Sequence, residues 1–162
     1  MAELDRLGSG HAEALLRFEL ENRAYFARSV PDRGDDYFTP AGFAARHAEL
    51  LAEQEAGLHH FHVLVDDEGA VLGRFNLIDV ADGGAELGFR VAERVAGRGV
   101  ATDGVRRVCE LARHGYGLRR LEASATLDNA GSLAVLRRTG FTPVGEVLLA
   151  GHPGMRHVRE LT

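Results

Sequence analysis

Apolar residues recur along this chain with two spacings, and the change from one to the other divides it into elements. Between His11 and Arg28, Leu15, Leu16, Phe18, Leu20 and Phe26 fall at helical intervals, which predicts a helix over residues 11–28. Leu4 to Leu7 reads as a short strand before it. A loop, Ser29–Pro40, is marked by Pro31, Gly34 and Pro40. A second amphipathic helix follows over Ala41–Glu55 and stops at Gly57. The spacing then becomes strand-like over Phe61–Val65, Val71–Val80 and Ala85–Val91. Asp67-Glu68-Gly69 and Asp82-Gly83-Gly84 separate these runs, so an antiparallel meander is expected. Helical spacing returns from about Gly99 to His114, with Val105, Val108, Cys109 and Ala112 as the buried stripe. Leu121–Thr126 reads as a strand, Gly131–Arg138 as a helix, and Phe141–Leu149 and Arg156–Leu161 as two further strands. The class is therefore mixed α/β.

With 162 residues, 45% of them hydrophobic, the chain fits one globular domain spanning residues 1–162. No apolar run is long enough to span a bilayer, and Met1 to Asp5 lacks the basic-then-apolar order of a signal peptide. The single Cys109 excludes an internal disulfide, and a cytoplasmic protein is expected. A net charge of -5 argues against direct nucleic-acid binding and is compatible with a basic protein or an amine as partner.

The chemistry concentrates in Val95-Ala96-Gly97-Arg98-Gly99-Val100-Ala101-Thr102, a glycine turn between a strand and a helix. Such a turn offers bare backbone N–H groups at a helix N-terminus, which suits a phosphate or diphosphate. A P-loop requires a lysine after its last glycine, and none is present. A dinucleotide fold places its turn in the first β-α unit and has a third glycine where Thr102 stands. A second run, Asp128-Asn129-Ala130-Gly131-Ser132, lies between a strand and a helix, where Asp128 or Asn129 can cap the helix. Cys109 on an apolar helix face reads as core packing. His60 and His62 share a strand face but lack a third ligand, so no metal is expected.

From Glu86 onward the chain resembles the GCN5-related N-acetyltransferase (GNAT) superfamily. Ala96-Gly97-Arg98-Gly99-Val100-Ala101 matches its acetyl-CoA motif, except that Ala96 replaces the usual Gln or Arg. Asn129, Ser132, Arg138, Gly140 and Phe141 resemble the RimJ/RimL-type ribosomal-protein N-terminal acetyltransferases of bacteria. So do Glu86-Leu87-Gly88-Phe89, Asn22-Arg23, Pro31 and Tyr37-Phe38-Thr39 near the substrate loop of that branch. The resemblance implies a mostly antiparallel mixed sheet flanked by helices, with a splayed strand pair at the acetyl-CoA site. It implies acetyl-CoA as co-substrate, held by Phe89, Val91, Arg94, Gly97, Arg98, Gly99, Val100, Ala101, Thr102, Asn129, Ser132 and Arg138. Many family members carry a general-acid tyrosine seven residues after the asparagine. Leu136 stands there, which leaves Ser132 as the candidate donor to the sulfur.

Acyl transfer to an amine requires a neutral nucleophile, a polarised carbonyl and a stabilised thiolate. The family supplies the second through backbone N–H groups, expected here near Phe89 to Val91. Glu86 is the best candidate base, Glu146 a weaker one, and His157 a candidate for the substrate end. At pH 7 roughly a tenth of a protein α-amine is neutral, against a few parts in ten thousand of a lysine amine. A weak base therefore favours an α-amine, and a protein N-terminus of ribosomal type is the expected acceptor, attacked directly in a ternary complex. A small amine such as an amino acid, polyamine or antibiotic is the alternative acceptor, and a non-catalytic acyl-CoA-binding module or a dinucleotide oxidoreductase the alternative class. A monomer or homodimer is expected.

Overall fold

The computed structural model describes residues 2–162. Strand β1 (Glu3–Arg6) precedes three helices, α1 (Ala12–Glu21), α2 (Arg23–Ala27) and α3 (Pro40–Glu55). The meander β2 (His60–Val65), β3 (Val71–Ala81) and β4 (Gly84–Val91) follows. Then come α4 (Val100–His114), β5 (Arg120–Thr126), α5 (Ala130–Arg138) and the hairpin β6 (Thr142–Leu149) and β7 (His152–Glu160). The seven strands form one sheet in the order β1-β2-β3-β4-β5-β7-β6. All pairs are antiparallel except β4 with β5. The expected mixed, mostly antiparallel sheet flanked by helices is the observed architecture.

The sheet separates two apolar cores. On one side α4 and α5 cover Phe75, Leu77, Ala85, Leu87, Leu121, Ala123 and Ala125. On the other, α1, α2 and α3 pack Leu15, Phe18, Phe26, Phe43 and Leu50 over Phe61 and Val63. Period-two alternation along β4 explains the division: Ala85 and Leu87 are buried toward α4, while Glu86, Gly88 and Arg90 face the α1 side. Helix α4 lies unusually close to the sheet. A Cβ at Gly104 would sit 2.2 Å from the Phe75 ring, so only glycine permits this approach.

Three boundaries differ from expectation, each for a local reason. The helix expected over residues 11–28 breaks at Asn22, whose backbone leaves helical geometry (φ -108°, ψ 8°). Its side-chain Nδ2 donates to the Phe18 carbonyl at 2.8 Å and its Oδ1 accepts from the Glu93 N–H at 2.9 Å. The loop over 29–40 contains a 3-10 turn, Asp35–Phe38, and gives Pro40 to α3 as its first residue. Thr39 caps α3 by accepting from the Gly42 N–H at 3.0 Å. The last strand begins at His152 rather than Arg156. Ala150 (φ 50°) and Gly151 (φ 82°) form a tight left-handed hairpin turn, and Pro153 pairs with Leu148 as the strand's second residue.

Candidate functional site

The parallel pairing of β4 with β5 is short. Gly84, Ala85 and Glu86 register with Arg120, Leu121 and Glu122, and the pairing stops there. β4 continues to Val91 against β3, and β5 continues to Thr126 against β7, so the two strands part from Leu87 onward. The Ala92 N–H donates to Leu72 in β3 at 2.8 Å. Neighbouring residues in a strand point their N–H groups to opposite edges. Phe89 and Val91 therefore direct theirs into the gap that β5 has left.

The glycine turn stands at the end of this gap. A 3-10 turn, Glu93–Val95, leads from β4 into Ala96, and α4 starts at Val100. Gly97 (φ 74°) and Gly99 (φ 79°) are both left-handed, a conformation that strains any residue with a Cβ. A Cβ built on either would meet no heavy atom within 4 Å, so the space above the turn is open. Among the described residues no side chain caps α4. The first-turn N–H groups, including those of Val100, Ala101 and the buried Thr102, are directed at this space, with the positive end of the helix dipole behind them. Arg98 is exposed in the turn, whereas Arg94 lies 3.9 Å from Asp66. This cradle fits a diphosphate.

The second run sits at the far end of β5. Asn129 caps α5, its Oδ1 accepting from the Ser132 N–H at 3.2 Å. Ser132, half-buried in the first helical turn, keeps its hydroxyl free of that cap. Leu136 is 1% exposed within the core, so no acid can come from its position. Arg138 lies in the last turn of α5, roughly 9 Å along the axis from Ser132, and is not brought together with Asn129 and Ser132.

Opposite α4, Glu86 stands at the fork where β4 and β5 part. It makes no ion pair among the described residues. Although its side chain reaches solvent, packing of the surrounding strands desolvates the carboxyl, and the carboxylates of Asp79 and Glu122 add repulsion, so its pKa is raised. Asp79 is left-handed (φ 54°) at the bulge between β3 and β4. Glu122 is engaged by Arg156, whose Nη1 donates to it at 2.7 Å. Glu146 is separate from this fork and lines a cavity of about 280 Å³ with Leu127, Val147, Leu148, Pro153 and Gly154. His157 differs from expectation. It is buried, pairs with Ala123 on the core side of the sheet and donates through Nδ1 to the Met155 carbonyl, away from the Glu86 side. Cys109 packs in the core, and burial pushes its thiol pKa up.

Sequence reading missed a charged cluster beside the fork. Glu19 of α1, 2% exposed, binds both Arg74 of β3 (2.9 Å) and Arg90 of β4. Arg74 also donates to the Tyr37 hydroxyl at 3.3 Å, and the Arg90 guanidinium lies 4.3 Å from the centre of the Phe26 ring. The available signal was Glu19 on the apolar stripe of its helix and Arg74 between the apolar residues Leu72 and Phe75 of its strand.

A family model described as an acetyltransferase (GNAT) domain matches residues 3–142. A probable N-acetyltransferase of Bacillus subtilis, YjcK, is 31% identical over 140 residues, 83% of this chain and 76% of that protein. The ribosomal-protein-S5-alanine acetyltransferase of Vibrio fischeri superposes with a TM-score of 0.91 at 21% identity, covering 98% of this chain and 92% of that one. Mycobacterium smegmatis RimJ, solved with CoA-disulfide, gives 0.88 at 22% identity and covers 98% and 81%. A chimeric spermidine N-acetyltransferase, SpeG from Vibrio cholerae, shares the fold with a TM-score of 0.80 at 15% identity, covering 99% of this chain and 95% of that one.

Proposed function

Because the chain belongs to the GNAT acetyltransferase family and is an N-acetyltransferase of that type, we propose that it transfers the acetyl group of acetyl-CoA to a protein N-terminal α-amine. The observation that carries this reading is the parting of β4 and β5 beside an uncapped α4 N-terminus. Acetyl-CoA, when bound, supplies the acyl group as a thioester. The N–H groups from Gly97 to Thr102 hold its diphosphate, with Arg98 and Arg94 adding positive charge. Asn129 lines the pantetheine path while its Oδ1 keeps the α5 cap. Arg138 contributes only to the outer part of the cofactor.

The N–H groups of Phe89 and Val91 stabilise the oxyanion of the reacting carbonyl, and their fixed strand geometry requires no reorganisation. Glu86 takes the proton from the acceptor ammonium. The amine nitrogen then bonds to the acyl carbon and the carbon–sulfur bond breaks; Ser132 donates a hydrogen bond to the departing sulfur, and the proton that the new amide nitrogen sheds passes to the thiolate. A free thiol has a pKa near about 8.5, so a hydroxyl suffices where a tyrosine is absent. A carboxylate, even one with a raised pKa, is a weak base toward a lysine or polyamine nitrogen. It is better matched to an α-amine of pKa about 7.7–8.0.

The test is thiol release from acetyl-CoA with a panel of acceptors: peptides with free N-termini, the same peptides N-blocked but containing lysine, spermidine, and free amino acids. Turnover is expected on free peptide N-termini. Turnover confined to spermidine or an amino acid would replace the acceptor, and acetyl-CoA binding without transfer to anything would leave a binding module.

A further inference from the structure

Asn22 is 5% exposed and makes two side-chain hydrogen bonds of different reach. One stays within α1, from Nδ2 to Phe18. The other crosses the molecule, with Oδ1 accepting from Glu93 at the start of the 3-10 turn that leads into the glycine turn. Behind Glu93 the chain is anchored by the Ala92 N–H on Leu72. Ahead of it, Val95 and Ala96 donate only to Ala92 and Glu93. Asn22 thus attaches this entry segment to the α1 side of the sheet by a buried hydrogen bond, beside the exposed ion pair of Glu93 with Arg28. One turn earlier on α1, Glu19 holds Arg90, the residue between Phe89 and Val91.

The same end of α1 is tied to the segment around Asp32–Phe38, which lines a small pocket with Arg90 on the sheet face that Glu86 shares. Arg23, next in sequence, donates to Asp32 at 3.0 Å and 2.8 Å and to Asp35 at 2.8 Å. Its guanidinium lies 4.0 Å from the centre of the Phe38 ring. Tyr37 reaches Glu19 through Arg74. Resting on the acetyl-CoA reading above, we propose that Asn22 is a positioning residue. Its amide fastens the end of α1 to the entry of the glycine turn, so that this pocket and the grip on the diphosphate are set together.

A residue that merely ends α1 would behave differently, and two pairs of variants separate the roles. Asn22→Asp keeps an oxygen for the Glu93 N–H but cannot donate to Phe18, while Asn22→Ala loses both bonds. Glu93→Pro removes the N–H from the other side. Ala92 already has the extended backbone that precedes proline (φ -59°, ψ 144°), and Glu93 opens a 3-10 turn where proline fits. Glu93→Gln controls for loss of the exposed carboxylate, which lies 3.8 Å from Arg28. Acetyl-CoA affinity is measured by calorimetry, and amide exchange is followed over residues 93–102 of the free protein.

Asn22→Ala and Glu93→Pro are each expected to weaken acetyl-CoA binding about tenfold, with the double variant no weaker than either. Asn22→Asp and Glu93→Gln are expected to stay within about twofold of wild type. The proposal is overturned if Asn22→Asp is as weak as Asn22→Ala, if the two losses multiply, or if Glu93→Pro binds normally. The last result decides alone should Asn22→Ala not fold. Absence of heat with wild-type protein would refute the acetyl-CoA reading instead. The fastening is then judged by exchange, which Asn22→Ala and Glu93→Pro must speed and Asn22→Asp must not.

Discussion

Acidification should weaken this fold through His62, by an amount the structure sets. His62 of β2 is 1% exposed, beneath the C-terminal end of α4. Its Nδ1 lies 3.0 Å from the Phe75 carbonyl, which can only accept, so Nδ1 carries the proton. Nε2 is then an acceptor and takes the hydrogen of the Tyr116 hydroxyl at 2.7 Å. His60 stacks on the other side of the Tyr116 ring, with centroids 3.7 Å apart. Burial, opposed by the Phe75 bond and helped by His60 and Arg6, lowers the His62 pKa from 6.5 to about 4. A second proton would have to displace the Tyr116 donor from Nε2 at a buried site.

The unfolded chain binds a proton at this histidine below pH 6.5 and the folded chain only near pH 4. The contribution of neutral His62 is therefore complete above pH 6.5 and lost progressively between 6.5 and 4. At pH 5 the linkage amounts to about 2 kcal/mol, and it approaches about 3 kcal/mol below pH 4. His47 and His60, whose pKa values burial also lowers, act in the same direction. Urea unfolding of wild type and His62→Gln at pH 7.5, 6.5, 5.5 and 5.0 isolates the one residue. Wild type should lose about 2 kcal/mol more than the variant between pH 7.5 and 5.0. Parallel losses in the two proteins would refute the lowered pKa of His62.

Other perturbations test the site itself. Gly99→Val forces a branched side chain into a left-handed backbone where the diphosphate approaches, and should weaken acetyl-CoA binding at least about tenfold by calorimetry. Ser132→Ala should lower kcat about tenfold in a thiol-release assay and leave acetyl-CoA affinity within about twofold. Glu86→Gln should lower kcat/KM about a hundredfold. Wild-type activity should fall as pH drops through the raised carboxyl pKa, an acid limb that the variant lacks. Gly104→Val drives a side chain into Phe75 and should cost about 2–3 kcal/mol in urea unfolding, with retained stability showing that α4 can move outward.

The parts of the fold that depend on local pattern were legible. The β2-β3-β4 meander shows in alternation and turn residues, and α4 in its apolar stripe and in the two glycines whose left-handed backbone the structure displays. What escaped depends on partners distant in sequence. Asn22 looks like an ordinary helical residue until Glu93, 71 residues later, supplies the N–H that holds its side chain away. Glu19 looks like a misplaced charge until Arg74 and Arg90 arrive from two strands. β7 begins early because Pro153 occupies the start of a strand, where its missing N–H is tolerated. The placement of His157 on the core side follows from register with Ala123, which no local signal specifies.

One strand carries both halves of the site, and the pleat makes this possible. Along β4 the N–H groups of Phe89 and Val91 enter the gap, while the side chains of Glu86 and Arg90 face the α1 side. A slip of one residue would exchange these roles, turning Leu87 outward and Glu86 into the α4 core. The β3–β4 bulge between Ile78 and Ala81 confines irregularity to the turn end, so pairing from Ile78–Glu86 to Gly73–Val91 stays regular. The left-handed Asp79 is therefore part of what keeps Glu86 at the fork. Its carboxylate also helps keep the Glu86 pKa high, so the bulge and the proposed base belong to one local arrangement.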